Sequence, residues 1–256
     1  NIVFGEAPIK IIGSDVSKYE REEWVDSVII GPAERYIVEV RFDEVGDIPI
    51  TNSIQAIDDF RGEFYPHIDL LGRVVVNEKK DSLKNPLPFH TLRENVDVMS
   101  DIDNYRQHFD RPVDHRIELT LDIENLPLPI VRAMQFEAGL YAPPIEWNDA
   151  MPMMNWLSSA EQVHWILEDS ATGRHNMDID WKFDVGDVVK IEIFNDPDTI
   201  HPMNHPVHIH GQRFLVLTMD GIPNENLVWK DTAIVPVGST VQYLVDMSNP
   251  GKWMMH

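Results

Sequence analysis

Apolar residues occupy every second position along Arg116-Ile117-Glu118-Leu119-Thr120-Leu121-Asp122-Ile123. On a strand, successive side chains reach opposite faces, so this pattern predicts one face in the core and one in solvent. The same reading covers Tyr36 to Phe42, Val188 to Phe194, Phe214 to Leu217 and Thr240 to Val245. Between these runs lie turn-forming clusters such as Asp47-Ile48-Pro49, Asp196-Pro197-Asp198 and Asn249-Pro250-Gly251, which end strands rather than extend them. Helical periodicity is weak, and only Glu20 to Val25 and Asn155 to Gln162 are expected to form short helices. Many short strands separated by turns predict an all-β fold, a sandwich or a barrel.

The pattern breaks in the middle. Residues 1 to about 57 read as strands, whereas Asn77 to His115 is polar and rich in turn formers, including Asn85-Pro86-Leu87-Pro88. The expected organisation is a first block over 1–58, a connection over 59–115 and a second domain over 116–256. A complete sandwich needs about 100 residues, so the first block is expected to be only part of one. The final residues, Gly251-Lys252-Trp253-Met254-Met255-His256, are apolar and aromatic without a polar tail. Both ends are therefore expected to be cut from a longer chain.

Charge and composition narrow the function. Forty-three acidic residues against 21 basic ones give a formal charge of −22. With no Lys/Arg-rich run, the chain lacks the basic footprint of a nucleic-acid binder. No stretch approaches the roughly 20 apolar residues of a membrane helix, and the first residues lack a basic-then-apolar export signal. Cysteine is absent, which excludes disulfides, thiolate metal sites and cysteine nucleophiles within these residues. There is no phosphate-binding glycine loop, HExxH or GxSxG, so nucleotide enzymes, zincins and α/β-hydrolases are poor candidates.

The histidines carry the strongest chemical signal. Of eleven, four fall in His201-Pro202-Met203-Asn204-His205-Pro206-Val207-His208-Ile209-His210. His208 and His210 are two apart, so on a strand both imidazoles leave the same face and can reach one metal or two adjacent metals. His205 lies an odd number of positions from His208 and points the other way if the segment is extended. One strand can thus serve two centres on its two sides. Imidazole suits copper, zinc, iron or nickel, and spacing alone does not choose between them. The plain alternative, surface or core histidines on a strand, fits a lone histidine better than an HxxHxH run. His67, His90, His108, His115, His164 and His175 are scattered singly and read as structural or solvent-facing, and His201 as a loop residue.

Three segments together resemble the last cupredoxin domain of the laccase-like multicopper oxidases. They are His205-Pro206-Val207-His208-Ile209-His210-Gly211, Asn226-Leu227-Val228-Trp229-Lys230-Asp231-Thr232 with Val235-Pro236-Val237-Gly238, and Asn249-Pro250-Gly251-Lys252-Trp253-Met254-Met255-His256. Upstream, Ile29-Ile30-Gly31-Pro32-Ala33-Glu34-Arg35-Tyr36 resembles the end of the family's middle domain. The resemblance implies cupredoxin-like Greek-key β-sandwich domains, with 1–58 the end of a middle domain and 116–256 most of a C-terminal copper domain. It implies a copper-dependent oxidoreductase that oxidises phenols, aromatic amines or metal ions one electron at a time and reduces oxygen to water. Carried over, His205 is a type 1 copper ligand, His208 a type 2 ligand, and His210 and His256 type 3 ligands of a trinuclear cluster. A periplasmic or extracellular location is likewise expected.

The family pattern also calls for a cysteine, two further histidines and an axial residue beyond His256, and for two His-x-His pairs from a first domain. One such pair is present here. A blue-copper site needs thiolate sulfur, so the resemblance implies an incomplete segment, inactive alone, that relies on a missing N-terminal cupredoxin domain for the other cluster histidines. Its partners would be oxygen and a small reducing substrate. Two alternatives remain: a copper-free cupredoxin scaffold used for binding, or a single copper or zinc held by His208, His210 and His256. Met151-Pro152-Met153-Met154 reads as packing rather than as a Cu(I) dock. Asp231, beside Trp229, is either a carboxylate orienting an imidazole near the type 1 edge or a cap at a strand start. The spacing of Asp101-Ile102-Asp103 suits a calcium loop, but Arg106 stands where glycine is required and Pro112 where the bidentate glutamate belongs.

Overall fold

Strands dominate the computed structural model, which describes residues 1–58, 63–78, 89–129, 131–132, 162–199 and 203–256. In the first half, β1 (Ile2–Phe4), β5 (Gly46–Asp58) and β6 (Glu63–Val76) form one antiparallel sheet in the order β1-β5-β6. A second sheet runs β3-β2-β4, from β2 (Ile9–Ser14), β3 (Ser17–Val25) and β4 (Tyr36–Val40). One helix, α1 (Val96–Asp103), precedes β7 (His115–Ile123), β8 (Val163–Asp169), β9 (Arg174–His175) and β10 (Asp187–Asn195). The chain continues through β11 (His205–His208), β12 (Arg213–Met219), β13 (Ile222–Pro223), β14 (Thr232–Val235) and β15 (Thr240–Met247).

The alternation read from the sequence builds the main core. Seven strands line up as β13-β12-β15-β10-β7-β8-β9, with β10 parallel to β7 and antiparallel to β15. Their inward positions, including Ile117, Leu119, Val189, Ile191, Ile193, Val241, Tyr243 and Val245, pack against Val207, Ile209, Ala233 and Val235 from the β11–β14 pair. This is a two-layer sandwich, each layer burying its apolar face against the other. Phe214 and Tyr243 stack with centroids 4.3 Å apart, and the Tyr243 hydroxyl donates to the Ala233 carbonyl at 3.2 Å. The opposite face of β12 and β15 offers Leu215, Leu217 and Leu244, which α1 covers with Val98 and Ile102. Those two residues are four apart and therefore share one helix face.

One expected element fails, for a physical reason. Glu20 to Val25 is not a helix but the second half of β3. Its inward positions are carboxylates: Glu20 and Glu22 are each 2% exposed. Glu22 pairs with Lys10 at 3.4 Å and with Arg93, and Glu20 with Arg106. A strand whose core face is charged shows no apolar alternation. The stretch 59–115, expected as a connection, contains the 14-residue β6 and α1. The β5–β6 ladder lies mostly in solvent, with Ile68 and Leu70 at least 60% exposed, so neither strand needs the in-out pattern of a core strand. The expected helix at Asn155 to Gln162 and the Met151–Met154 run lie outside the described residues, apart from Gln162.

The two halves meet through buried charge. Lys230, 5% exposed, reaches Asp15 Oδ2 at 3.2 Å, Glu34 Oε1 at 3.2 Å and the Ser14 hydroxyl at 2.5 Å, with its ammonium 4.7 Å from the Tyr36 ring. Glu34 also accepts the Gly31 backbone N–H at 2.7 Å. Removing one member of such a group leaves its partners charged and dry. Lys230→Met is expected to destabilise the fold by about 3–5 kcal/mol, read as a lower urea midpoint. Lys230→Arg, which keeps the charge, should lose less.

Candidate metal centre

The histidine segment is shaped by pairing on both sides. On one side β11 lies antiparallel to β14, with His205 opposite Val235 and His208 opposite Thr232. On the other side the C-terminal segment runs back along it. The His208 N–H donates to the His256 carbonyl at 2.7 Å and the His256 N–H returns to the His208 carbonyl at 3.0 Å. The His210 N–H donates to Met254 at 2.9 Å. His208 and His256 are thus a directly opposed cross-strand pair, whose side chains share a face.

That pairing brings three imidazoles together. Ring centroids of His208 and His210 are 4.6 Å apart, His208 and His256 5.5 Å, and His210 and His256 5.1 Å. One nitrogen from each lies within 4.8 Å of the others, and the Nε2 atoms of His210 and His256 are 3.0 Å apart. Partial burial, then the neighbouring rings of His210 and His208, holds the His256 pKa below its ordinary value. A neutral imidazole is the form that ligates metal.

His205 points elsewhere, as its odd spacing predicts. Its ring meets Trp165 edge-on at 4.9 Å. Burial depresses its pKa from 6.5 to about 4. Among the described residues no other group joins it to form a metal-binding cluster. The scattered histidines have other partners: His67 contacts Asp69 at 2.8 Å, His175 contacts Glu168 at 3.1 Å, and His115 stacks on Trp181 at 4.2 Å. His201 lies outside the described residues.

His208 is oriented by residues that sequence reasoning placed elsewhere or overlooked. Its Nδ1 lies 2.8 Å from the Asp231 carbonyl and 2.9 Å from the Thr232 hydroxyl. A carbonyl only accepts, so Nδ1 carries the proton and the Nε2 lone pair is free for a metal. Asp231 therefore sits beside His208, not His205, and its carboxylate does not cap a turn. Both oxygens take a guanidinium fork from Arg35, at 2.7 and 2.6 Å, and Oδ1 also accepts the Thr232 hydroxyl at 2.8 Å. Burial raises the Asp231 pKa, but the Arg35 and Thr232 bonds outweigh it and leave the carboxyl below its usual range. Arg35 escaped notice because its partner is 196 positions away. A cleft of about 590 Å³, lined by Asp97, Asp101, Gln212, Arg213, Trp229 and Asp231 among others, opens beside His208.

Comparison with known proteins places this geometry. A family model described as multicopper oxidase matches residues 146–256. An oxidoreductase of Pestalotiopsis microspora is 33% identical over 117 residues, covering 43% of this chain and 16% of that protein. A multicopper oxidase of Mycobacterium tuberculosis is 37% identical over 59 residues, 23% of this chain and 11% of that protein. The laccase of Neurospora crassa is 30% identical over 84 residues, 25% of this chain and 14% of that protein. In fold, the whole chain superposes on the Campylobacter jejuni multicopper oxidase with a TM-score of 0.60 at 15% identity, spanning 46% of that structure. The Pediococcus acidilactici enzyme gives 0.55 at 18% identity, spanning 42%. The chain is thus all-β and cupredoxin-like, and it spans less than half the length of these solved structures.

Within the matched segment the loop after His210 locks the C-terminal residues. Gly211 has φ +65°, and a Cβ there would fall 2.4 Å from the Trp253 ring. The Gln212 side chain donates to the Asn249 carbonyl at 2.7 Å, and Trp253 Nε1 reaches the same oxygen at 2.9 Å. Gly211→Ala is expected to cost more than about 1 kcal/mol and to displace Trp253, seen as faster amide exchange at His208 and His256 and a shifted tryptophan emission. His205 adds a pH dependence. Its folded pKa is depressed, so the unfolded chain takes up the proton first, and the stability present above about pH 6.5 is lost as pH falls towards about 4. Urea midpoints across that window should fall less steeply for His205→Leu than for the natural chain.

Proposed function

We propose that the chain is part of a laccase-like multicopper oxidase, with His208, His210 and His256 as ligands of its oxygen-reducing copper cluster. The observation that supports this reading most directly is the gathering of three imidazoles by the β11 and C-terminal pairing, inside the domain that the family model matches. The donor set fits copper: three nitrogens, no competing carboxylate in the cluster, and one ring already held with Nε2 free. Copper bound there supplies one-electron redox steps and a place for oxygen to be reduced, four electrons and four protons converting one O₂ into two waters.

In this reading the chain's own groups hold and orient. His208 and His210 offer nitrogen ligands from one side of the strand, and His256 adds a third from the paired segment. His208 would take the type 2 role, His210 and His256 the type 3 role. His205, on the opposite side, would be the type 1 ligand, with its thiolate and remaining ligands supplied from outside these residues, since the chain has no cysteine. A further cupredoxin domain would provide the other cluster histidines. The reducing substrate would be a phenol, an aromatic amine or a metal ion. The −22 charge would favour cationic donors at long range. Among the described residues no helix is long and apolar enough to cross a membrane, and a periplasmic or extracellular location is part of the same proposal.

Titration of the full chain with Cu(II), followed by electron paramagnetic resonance, tests the ligand set. His208→Ala and His210→Ala are each expected to weaken binding by more than about tenfold, or 1.4 kcal/mol, while His175→Ala leaves it unchanged. Absence of copper binding would overturn the assignment and favour the copper-free scaffold. Oxygen uptake by the copper-replete oxidase containing this chain, with a phenol as reductant, tests the activity, and no uptake with any reductant class would refute it.

A further inference from the structure

The first half of the chain reaches the metal centre through the side chains of Arg35 and Asp15. Arg35 follows the Gly31-Pro32-Ala33-Glu34 turn, where Ala33 takes a left-handed φ of +66°. Its own N–H donates to Asp15 Oδ1 at 2.8 Å and its Nη1 to the Ala33 carbonyl at 2.8 Å, so the guanidinium is anchored at its root. The fork then closes on both oxygens of Asp231. Asp15, whose side chain is fully buried, also accepts weakly from the Asp231 and Thr232 backbone N–H groups at 3.4 and 3.3 Å. Arg35 and Asp15 of the first half thus both bond the strand start that faces His208.

From this we infer that Arg35 is a positioning residue for His208, acting through Asp231 and Thr232 to fix which imidazole nitrogen is offered to the metal. The argument is one of donor direction. A threonine hydroxyl can donate or accept, so beside an imidazole it can stabilise either tautomer. Here Arg35 forks both oxygens of Asp231 and holds them in place, and a carboxylate paired with a guanidinium only accepts. The Thr232 hydroxyl must therefore donate to Asp231 and is left able only to accept from His208. With the Asp231 carbonyl on the same nitrogen, Nδ1–H is the single tautomer compatible with all partners, and Nε2 faces the other two histidines. Freed from Arg35, the carboxylate can swing away, and the hydroxyl can turn its proton towards Nδ1 and compete there with the Asp231 carbonyl, which alone still selects Nδ1–H. A guanidinium fork suits this task better than an ammonium, because it fixes both carboxylate oxygens at once.

The inference rests on the reading of His208 as a metal ligand, and two measurements separate the two claims. Two-bond ¹H–¹⁵N spectra of the metal-free full chain report the His208 tautomer directly. The natural chain is expected to show one Nδ1–H form, and Arg35→Ala and Asp231→Asn a mixture. Arg35→Lys should lie between, and Thr232→Ser, which keeps the hydroxyl, should match the natural chain. Cu(II) affinity is then expected to fall about tenfold or more in Arg35→Ala and Asp231→Asn, with little change for Thr232→Ser. Unchanged tautomer and unchanged affinity in folded Arg35→Ala or Arg35→Lys protein would overturn the positioning role. If instead His208→Ala leaves copper binding intact while Arg35→Ala shifts the tautomer, the metal reading fails and the positioning of the ring stands.

Discussion

The contact between the two halves of this chain has a buried ionic centre at Lys230, and the candidate metal centre depends on it. Lys230 and Asp231 are consecutive residues at the entrance to β14, and each is held by acid or base from the first half. Lys230 sits between Asp15 and Glu34, whereas Asp231 is forked by Arg35. Burying so many charges is costly unless every one is matched. The matching restricts how β14 can enter the sandwich, which gives the cluster a role in register more than in net stability. β14 in turn pairs with β11, the strand that carries His205 and His208.

Much of the fold was legible because the second half obeys the two-residue period. β7, β10, β12 and β15 bury alternate apolar positions against the β11–β14 pair, so their patterns survive as written. β3 hid from the same reading because its inward positions are Glu20 and Glu22. Their burial is made tolerable by Arg106, Arg93 and Lys10, residues far from them in sequence. α1 hid because only Val98 and Ile102 are buried against the sheet, while its other apolar residues, Val96 and Met99, fall outside that face and blur the period.

The site divides the same way. His208, His210 and the opposite direction of His205 follow from spacing on a strand. His256 has no spacing to argue from, and its place in the cluster was implied by resemblance alone; what brings it there is backbone pairing with His208. Asp231 was singled out, but which histidine it serves depends on a carbonyl oxygen, and no side-chain pattern reports that. Arg35 lay within a motif that supported the resemblance, yet nothing local distinguishes its salt bridge from an ordinary surface one.

The reciprocal hydrogen bonds between His208 and His256 make the metal centre a clasp as well as a ligand set. Its nitrogens come from two paired segments, so an ion that binds all three would stabilise their pairing by the free energy of its binding. By the same linkage, whatever loosens the C-terminal segment would weaken an ion held at the proposed site. In the proposed site, copper occupancy and the pairing of the C-terminal segment would be two readings of one equilibrium.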